Sequence, residues 1–317
     1  MRIFILAFLS FLSLLLQAQS GKDTITIIGV GDVMLGTSYP AGYLPLDDGK
    51  NILSIVEKKL QSADITFGNH EGTLFDGEGT PKQCANPALC FAFKSPERYA
   101  QYLKRAGFDL MSVANNHSGD FGAEARERTM QVLQNVGIAS SGTTQKPFVV
   151  LEKGGLKYGL ASFAPNNGTQ SINNYKEASR IVRFLDSLCD IVIVSFHGGA
   201  EGRSKQHVPR KTEMFVGENR GDVYKFSRTV IDAGADIVFG HGPHVTRAVD
   251  LYKDRFIIYS LGNFATYGRF NLKGEAGIAP IMKVFVDKKG RFLKGEITAV
   301  KQIGEGIPVL DAGGEVI

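Results

Sequence analysis

Residues 109–122, DLMSVANNHSGDFG, begin as a short apolar run and break into a string of polar side chains. Polar groups in succession at the end of a buried strand are costly to hold there unless something binds them. The pattern reads as a strand ending in a loop that presents Asn116 and His117 to one point. The same grammar recurs along the chain. An apolar run leads to Asp32 in GDVMLG, to Glu71 in GNHEG, to His197 in SFHGG, to His241 and His244 in GHGPH, and to Asn263 in SLGNF. The sequence holds six His, and four of them lie at such ends. Ligands of α/β sheets gather at the carboxyl ends of strands. Imidazole, carboxylate and amide oxygen together suit Mn, Fe or Zn. The donor set is about large enough for two ions that share a carboxylate.

Taken singly, each residue has an ordinary reading. Asp32 fits a turn that caps its own backbone, His244 a turn after Pro243, and His197 a core imidazole with its bonds made. The argument for metal lies in the set, because unpaired buried polar groups are expensive. His207 sits in a polar loop and reads as surface. His70 neighbours Glu71 and cannot point the same way on an extended chain.

The elements that position these residues follow from periodicity. Residues 24–30, 64–67, 110–113, 191–195 and 236–239 are short apolar runs and predict buried strands. Residues 91–93 predict a further strand, and residues 148–152 with 157–163 a hairpin around Gly154 and Gly155. A second hairpin is expected over residues 247–251 and 256–260, and two β segments over 277–287 and 291–303. Helical spacing appears over residues 51–60, from Pro96 to a stop at Gly107, over 122–136, near 176–188, and after Asp222. No linker-like stretch interrupts the pattern, so one domain is expected over residues 24–303, with residues 304–317 as a C-terminal tail.

Composition excludes several classes. A hydrophobic fraction of 43% with 21% charged residues describes a globular chain rather than a disordered one. The formal net charge of +4 is small, and no basic stripe interleaves with aromatics, so nucleic acid is not an expected partner. Met1-Arg2, an apolar run over residues 3–16 and a small-residue exit predict a signal peptide over residues 1–19. The run is short for a membrane span, with an uncleaved anchor as the alternative. The expected location is therefore exported, periplasmic or at the cell surface. Cys84 and Cys90 flank a short loop and suit a local disulfide in an oxidising compartment. Cys189 lies in an apolar run and reads as a buried free thiol.

The blocks GDVMLG, GNHEGTL, FKSPERYAQYLKRAGFDLMSVANNHSGDFG, SFHGGAEG, GADIVFGHGPHV and YSLGNF stand in the order of the CapA-type capsule synthesis family, which the chain resembles over residues 24–303. That family is associated with poly-γ-glutamate capsule and belongs to the metallophosphatase superfamily. The resemblance implies an α/β fold, a four-layered αββα metallophosphatase-like sandwich. It also implies roles. Asp32 resembles the superfamily's first aspartate, Glu71 its bridging carboxylate, and Asn116 its Asn ligand, with His117 as the adjacent catalytic His. His197 and His241 look like ligands of a second ion and His244 of the first. Two departures bear on the number of ions. The usual His two residues after the first Asp is Met34 here, and the usual double-His GHHPH reads GHGPH.

Two functions fit. The first is a hydrolase-like site using one or two divalent ions, Mn, Fe or Zn. A bound metal lowers the pKa of its water toward about 7, and His117 would stabilise or protonate the leaving group. Its substrate is expected to be a phosphoester or a polyanionic chain of γ-linked glutamate. Asn69, Glu201, Arg203, Arg210 and Asn263 are the candidate substrate contacts, with Lys205 and Lys211 adding positive charge. The second is a non-catalytic partner in polymer export or assembly, working with a membrane-bound capsule synthesis complex.

Overall fold

The computed structural model describes residues 24–84, 86 and 90–317. The expected signal peptide lies outside the described residues, and among these no helix is long and apolar enough to cross a membrane.

The strand Ile25–Met34 is buried at every position and lies inside an eight-stranded sheet. On one side it pairs in parallel with Ile65–His70, which leads on to Leu110–Ser112 and Ala139–Ser141. On the other it pairs antiparallel with Ile278–Val286, followed by Phe292–Ile303 and Ile307–Leu310. The chain beyond residue 303 is therefore not a separate tail, since Ile307–Leu310 completes the sheet edge. A six-stranded sheet runs in the order Val249–Tyr252, Arg255–Ile258, Ile237–His241, Ile191–His197, Leu156–Phe163, Phe148–Lys153.

The sheets meet face to face. Ile25, Ile27, Ile65 and Phe67 of the first pack with Leu160, Ile193, Ile237 and Phe239 of the second, and the Phe67 and Phe239 rings stack at 5.3 Å. Helices α1 (Glu57–Leu60), α2 (Tyr99–Ala106) and α3 (Gly122–Asn135) bury their apolar faces on the outer side of the first sheet. Helices α4 (Tyr175–Asp186) and α5 (Val223–Asp232) cover the second. The helix–sheet–sheet–helix order is the expected αββα sandwich.

Local chemistry sets most boundaries. Asp222 caps α5 by accepting from Lys225 N at 2.9 Å, and Gly107 ends α2 in a left-handed conformation at φ 103°. Two expectations fail. The helical spacing of residues 51–60 yields only the turn of α1, with irregular turns before it. Residues 91–93 are not a strand; instead Lys94–Ser95 pairs with Thr73–Leu74.

One irregularity decides where the site forms. Ile25 and Ile27 face the second sheet, while Ile28, Val30, Val33 and Leu35 face the outer helices. Strict alternation would send Val33 inward and Asp32 outward. A register shift between Gly29 and Asp32 changes the parity, so that Asp32 points between the sheets. The expected position of Asp32, just past a strand, is thus corrected: it lies inside the strand and is aimed by the bulge. Gly31 is required there. A Cβ on it would stand 1.9 Å from the carbonyl oxygen of Gly262, whose oxygen also accepts from Asp32 N at 2.9 Å. Gly31→Ala is expected to cost about 1–3 kcal/mol or more through overpacking against backbone and to weaken metal binding. Thermal unfolding and metal titration check this; a variant unchanged in both would show that the bulge does not aim Asp32.

Candidate metal centre

The site sits where strand ends of both sheets converge. Asp32 lies beside Asn69 on one neighbouring strand and beside Asn263 of the parallel strand Asn263–Thr266 on the other. Asn69 donates from Nδ2 to Asp32 Oδ1 at 2.8 Å and to Glu71 Oε2 at 2.7 Å, tying the two carboxylates together. Asn115 in turn donates from Nδ2 to Asn69 Oδ1 at 3.2 Å and to His70 O at 2.7 Å. Its Oδ1 accepts from His117 N at 3.0 Å. Asn115 is therefore fully engaged in holding the loop, while the Oδ1 of its neighbour Asn116 is buried without a partner among the described residues.

The second sheet supplies the imidazoles. His197 and His241 end adjacent parallel strands and stand side by side in register. His197 Nδ1 is 3.6 Å from Glu71 Oε2, and His241 Nδ1 is 3.2 Å from Asp32 Oδ1. Neither imidazole makes a well-angled hydrogen bond among the described residues. His244 donates from Nδ1 to Asp32 Oδ2 and to Asn263 Oδ1, each at 3.0 Å. It adopts φ 58°, a left-handed conformation that a β-carbon disfavours, and such strain persists where surrounding structure imposes it. The turn depends on Gly242, where a Cβ would stand 2.7 Å from the backbone of Gly198.

Donor atoms of Glu71, His197 and His244 all lie within 4.8 Å of one another, a spacing that one cation bound at about 2.0–2.3 Å from each can bridge. The residues fit a metal on a second ground. Glu71 Oε1, both ring nitrogens of His197 and of His241, and Asn116 Oδ1 are buried without hydrogen-bond partners among the described residues. Such atoms are costly unless a ligand satisfies them. Met34, where the superfamily carries a His, is buried and its sulfur accepts from Gly36 N at 3.2 Å. The result is a buried Glu/His cluster of the kind a metal-dependent hydrolytic site needs, with one triad defined by distance.

The electrostatics describe the cluster before a cation enters. Burial pushes Glu71 well above the usual carboxylate range, and the charge of Asp32 adds to it. Burial would also raise Asp32, but the close approach of the His241 imidazole and the hydrogen bond from His244 outweigh it and hold that carboxyl far below its ordinary value. Burial drives His197 well below the usual imidazole value. At His244 burial is overcome by the Asp32 hydrogen bond and by the charges of Glu201, Asp32 and Glu71, and the imidazole is held protonated with a pKa of about 10. A coordinating imidazole must give up a proton. Cation binding at neutral pH is therefore expected to release protons, and affinity to rise about tenfold per pH unit for each proton displaced, until the pKa of His244 is reached. Titration calorimetry in buffers of different ionisation enthalpy measures the release. Binding with no proton exchange would take His244 out of the ligand set.

His117 stands at the edge of this cluster. It donates from Nδ1 to Asp120 Oδ2 at 2.7 Å, and Lys82 Nζ sits 2.6 Å from Asp120 Oδ1. Asp120 also accepts from Phe93 N at 2.7 Å. Nε2 is thus the nitrogen left for the cleft that His117 lines with Phe93, Glu201, Arg203, His244, Asn263 and Phe270, a cavity of ≈ 510 Å³. His70 points to the opposite face from Asn69 and Glu71, with both ring nitrogens buried and unpartnered among the described residues; burial lowers its pKa to about 4.

Of the candidate substrate contacts, Glu201, Arg203 and Asn263 line the cleft. Asn69 is instead a brace between carboxylates. Arg210 is outside the cleft lining, exposed, with its guanidinium 4.8 Å over the Tyr224 ring. Lys205 and Lys211 are exposed and do not line the cleft either. Cys84 and Cys90 form a disulfide, and Cys189 is a half-buried thiol that burial pushes up to about 11. Sequence reasoning missed Asp120, Asn115, Lys82 and Arg247. Asp120 had a signal, three residues after His117 in HSGD; Lys82 had none, because only folding brings it to His117.

Layer order and site together define a metallophosphatase-like αββα sandwich with a candidate metal centre between its sheets. The chain belongs to the bacterial capsule synthesis protein PGA_cap family, whose model matches residues 26–267. It is 27% identical over 269 residues to the capsule biosynthesis protein CapA of Bacillus anthracis, covering 77% of this chain and 60% of that one. It is 25% identical over 258 residues to the PGA biosynthesis protein CapA of Bacillus subtilis strain 168, covering 76% and 63%. The chain thus spans 60% and 63% of the length of these two relatives. Among solved structures it resembles a hypothetical protein from Thermus thermophilus with a TM-score of 0.51 and 17% identity, over 87% of this chain and 99% of that one, a likeness of fold.

Proposed function

We propose that this chain is an exported hydrolase of phosphoesters that depends on a divalent cation and serves capsule or envelope polymer synthesis. The observation that carries the reading is the convergence of donor atoms from Glu71, His197 and His244 next to Asp32, with Glu71 Oε1 and both His197 nitrogens unpartnered among the described residues and His117 on the same cleft. Glu71, His197 and His244 would hold one ion. Asp32, Asn116 and His241 would complete its shell or hold a second, with Mn, Fe or Zn as candidates. A cation bound there supplies Lewis-acid polarisation of a phosphoryl oxygen and an acidified water.

The protein's own groups do the rest. Asn69 keeps the two carboxylates in place, and Asp32 and Asn263 hold the Nδ1 proton of His244. Asp120 fixes the ring of His117 through Nδ1, and although burial lowers the pKa of His117 the Asp120 charge opposes this and favours the imidazolium, the form in which Nε2 would hand a proton to the departing oxygen. Phe93 and Phe270 line the cleft beside these groups. Supporting the export reading are the signal-like residues 1–19 and the Cys84–Cys90 disulfide; an anchored form and a membrane-bound synthesis complex as partner belong to the same proposal.

Metal analysis of purified protein, followed by phosphatase and phosphodiesterase assays with added Mn, tests this. Bound metal with turnover is the expected result. Metal-free protein that binds a γ-glutamyl polymer and turns nothing over would replace the enzyme with a polymer-binding assembly partner, a reading that Met34 in place of a ligand His favours.

A further inference from the structure

The cleft beside the metal centre has a composition that the hydrolytic reading does not by itself require. Its wall is largely phenyl rings: Phe91, Phe93, Phe215 and Phe270. Phe93 and Phe270 stack on each other at 5.1 Å with planes 23° apart. The pair reaches directly to the chemistry, since the Phe93 ring centre is 4.3 Å from that of His117 and the Phe270 ring centre 5.6 Å from that of His244. Phe93 is fixed there by its backbone bond to Asp120, the same carboxylate that holds His117.

The charges on this wall are few. Arg203 is engaged by Glu275 at 2.6 Å. Arg269 is half-buried, lies 5.0 Å over Phe91 and 5.1 Å over Tyr43, and has no carboxylate partner among the described residues. A polyanion such as γ-linked glutamate needs a counter-charge for each repeat along its track, and one unpaired guanidinium does not supply that. A phosphoester with a flat apolar organic group matches better. Its phosphoryl group would meet the metal centre, its ring would lie against Phe270, which the buried Phe93 backs, by offset or edge-to-face packing, and Arg269 would add one positive charge at the rim. The closeness of the rings to His117 and His244 requires the flat group to be joined at or near the ester oxygen. The cavity of ≈ 510 Å³ suits a molecule of that size.

Resting on the hydrolytic reading above, we infer that the substrate class is small phosphate monoesters of flat, apolar alcohols, selected by the Phe93–Phe270 wall and Arg269. In the reaction, water oxygen forms a bond to phosphorus as the ester P–O bond breaks. The departing oxygen takes a proton from the His117 imidazolium, the proton given up by the attacking water passes to solvent, an equivalent proton from solvent restores the imidazolium, and inorganic phosphate and the free alcohol leave.

The test is binding, which does not confound recognition with leaving-group reactivity. Mn-loaded protein is titrated with 1-naphthylmethylphosphonate and with methylphosphonate, in wild type, Phe270→Leu and Arg269→Ala, alongside turnover of 1-naphthyl phosphate by wild type. The expected result is about tenfold or more tighter binding of the naphthyl compound in wild type, with that ratio falling to about threefold or less in Phe270→Leu. Arg269→Ala, at a half-exposed position, serves as the second variant and should weaken the naphthyl compound several-fold. Equal binding of both phosphonates with turnover intact overturns the inference alone. A ratio that survives in both variants does the same, as does stronger displacement of methylphosphonate by poly-γ-glutamate than by the naphthyl compound. Failure to bind either phosphonate together with no turnover removes the hydrolytic reading itself.

Discussion

His117→Ala is expected to lower turnover of an alkyl phosphate by about 10²–10⁴-fold, the usual contribution of a positioned proton donor. The loss should depend on the leaving group. An alkoxide leaves poorly without a proton, whereas p-nitrophenolate is stable without one, so the same variant should lose far less with p-nitrophenyl phosphate. This dependence follows from where the imidazole is held. Asp120 takes the Nδ1 proton at 2.7 Å and Lys82 neutralises that carboxylate from 2.6 Å, which fixes the ring and leaves Nε2 to the cleft. Asp120→Asn should show the same pattern in weaker form, because it loosens the ring without removing it. Rates across a series of phosphates with graded leaving-group pKa provide the measurement. An equal loss for alkyl and nitrophenyl esters would mean that His117 shapes the cleft, touching Phe93, and transfers no proton.

Much of this arrangement was legible in the sequence because it rests on short-range rules. A buried β-branched run, a glycine and a polar side chain announce a strand end, and Asp32, Glu71, His197, His241 and His244 were all found that way and come together in space. What escaped was contact between distant segments. Nothing local tells that Asn69 braces two carboxylates, since its amide reads equally well as a substrate contact. The parity change that turns Asp32 inward is invisible, because a bulge leaves the residue pattern intact and shows only in the register with the neighbouring strands. The helical spacing of residues 51–60 failed because the propensity of a short segment is weak, and the chain over residues 51–56 takes turns instead. Arg210 lies outside the cleft lining for a different reason: a polar loop predicts exposure but not which way the loop folds.

The same loop contains the largest stability effect expected of a single substitution. Residues 202–220 read in the sequence as a long polar loop, and Glu213 and Arg247 fasten it from inside. The Arg247 side chain is 0% exposed and that of Glu213 6%. Their bonds are bidentate, Nη1 to Oε1 at 2.8 Å and Nη2 to Oε2 at 2.9 Å, and Arg247 also donates to Lys205 O and Ala200 O. Arg247→Ala leaves the Glu213 carboxylate buried without its counter-charge and frees the backbone anchors of the loop. The expected loss is about 3–5 kcal/mol, the cost of breaking a buried pair from one side. Removing both charges should be milder, so Arg247→Met with Glu213→Leu is expected to recover much of that loss, since apolar residues of similar volume replace a desolvated pair. The effect should reach the site as well. Arg247 closely follows His244 in the chain, and Ala200 precedes Glu201 in the cleft, so metal affinity should fall in the single variant more than in the double. Urea unfolding of the three proteins decides the matter. A single variant within about 1 kcal/mol of wild type, or a double variant no more stable than the single, would show that the loop is held by its other contacts, chiefly the Arg220–Glu201 pair.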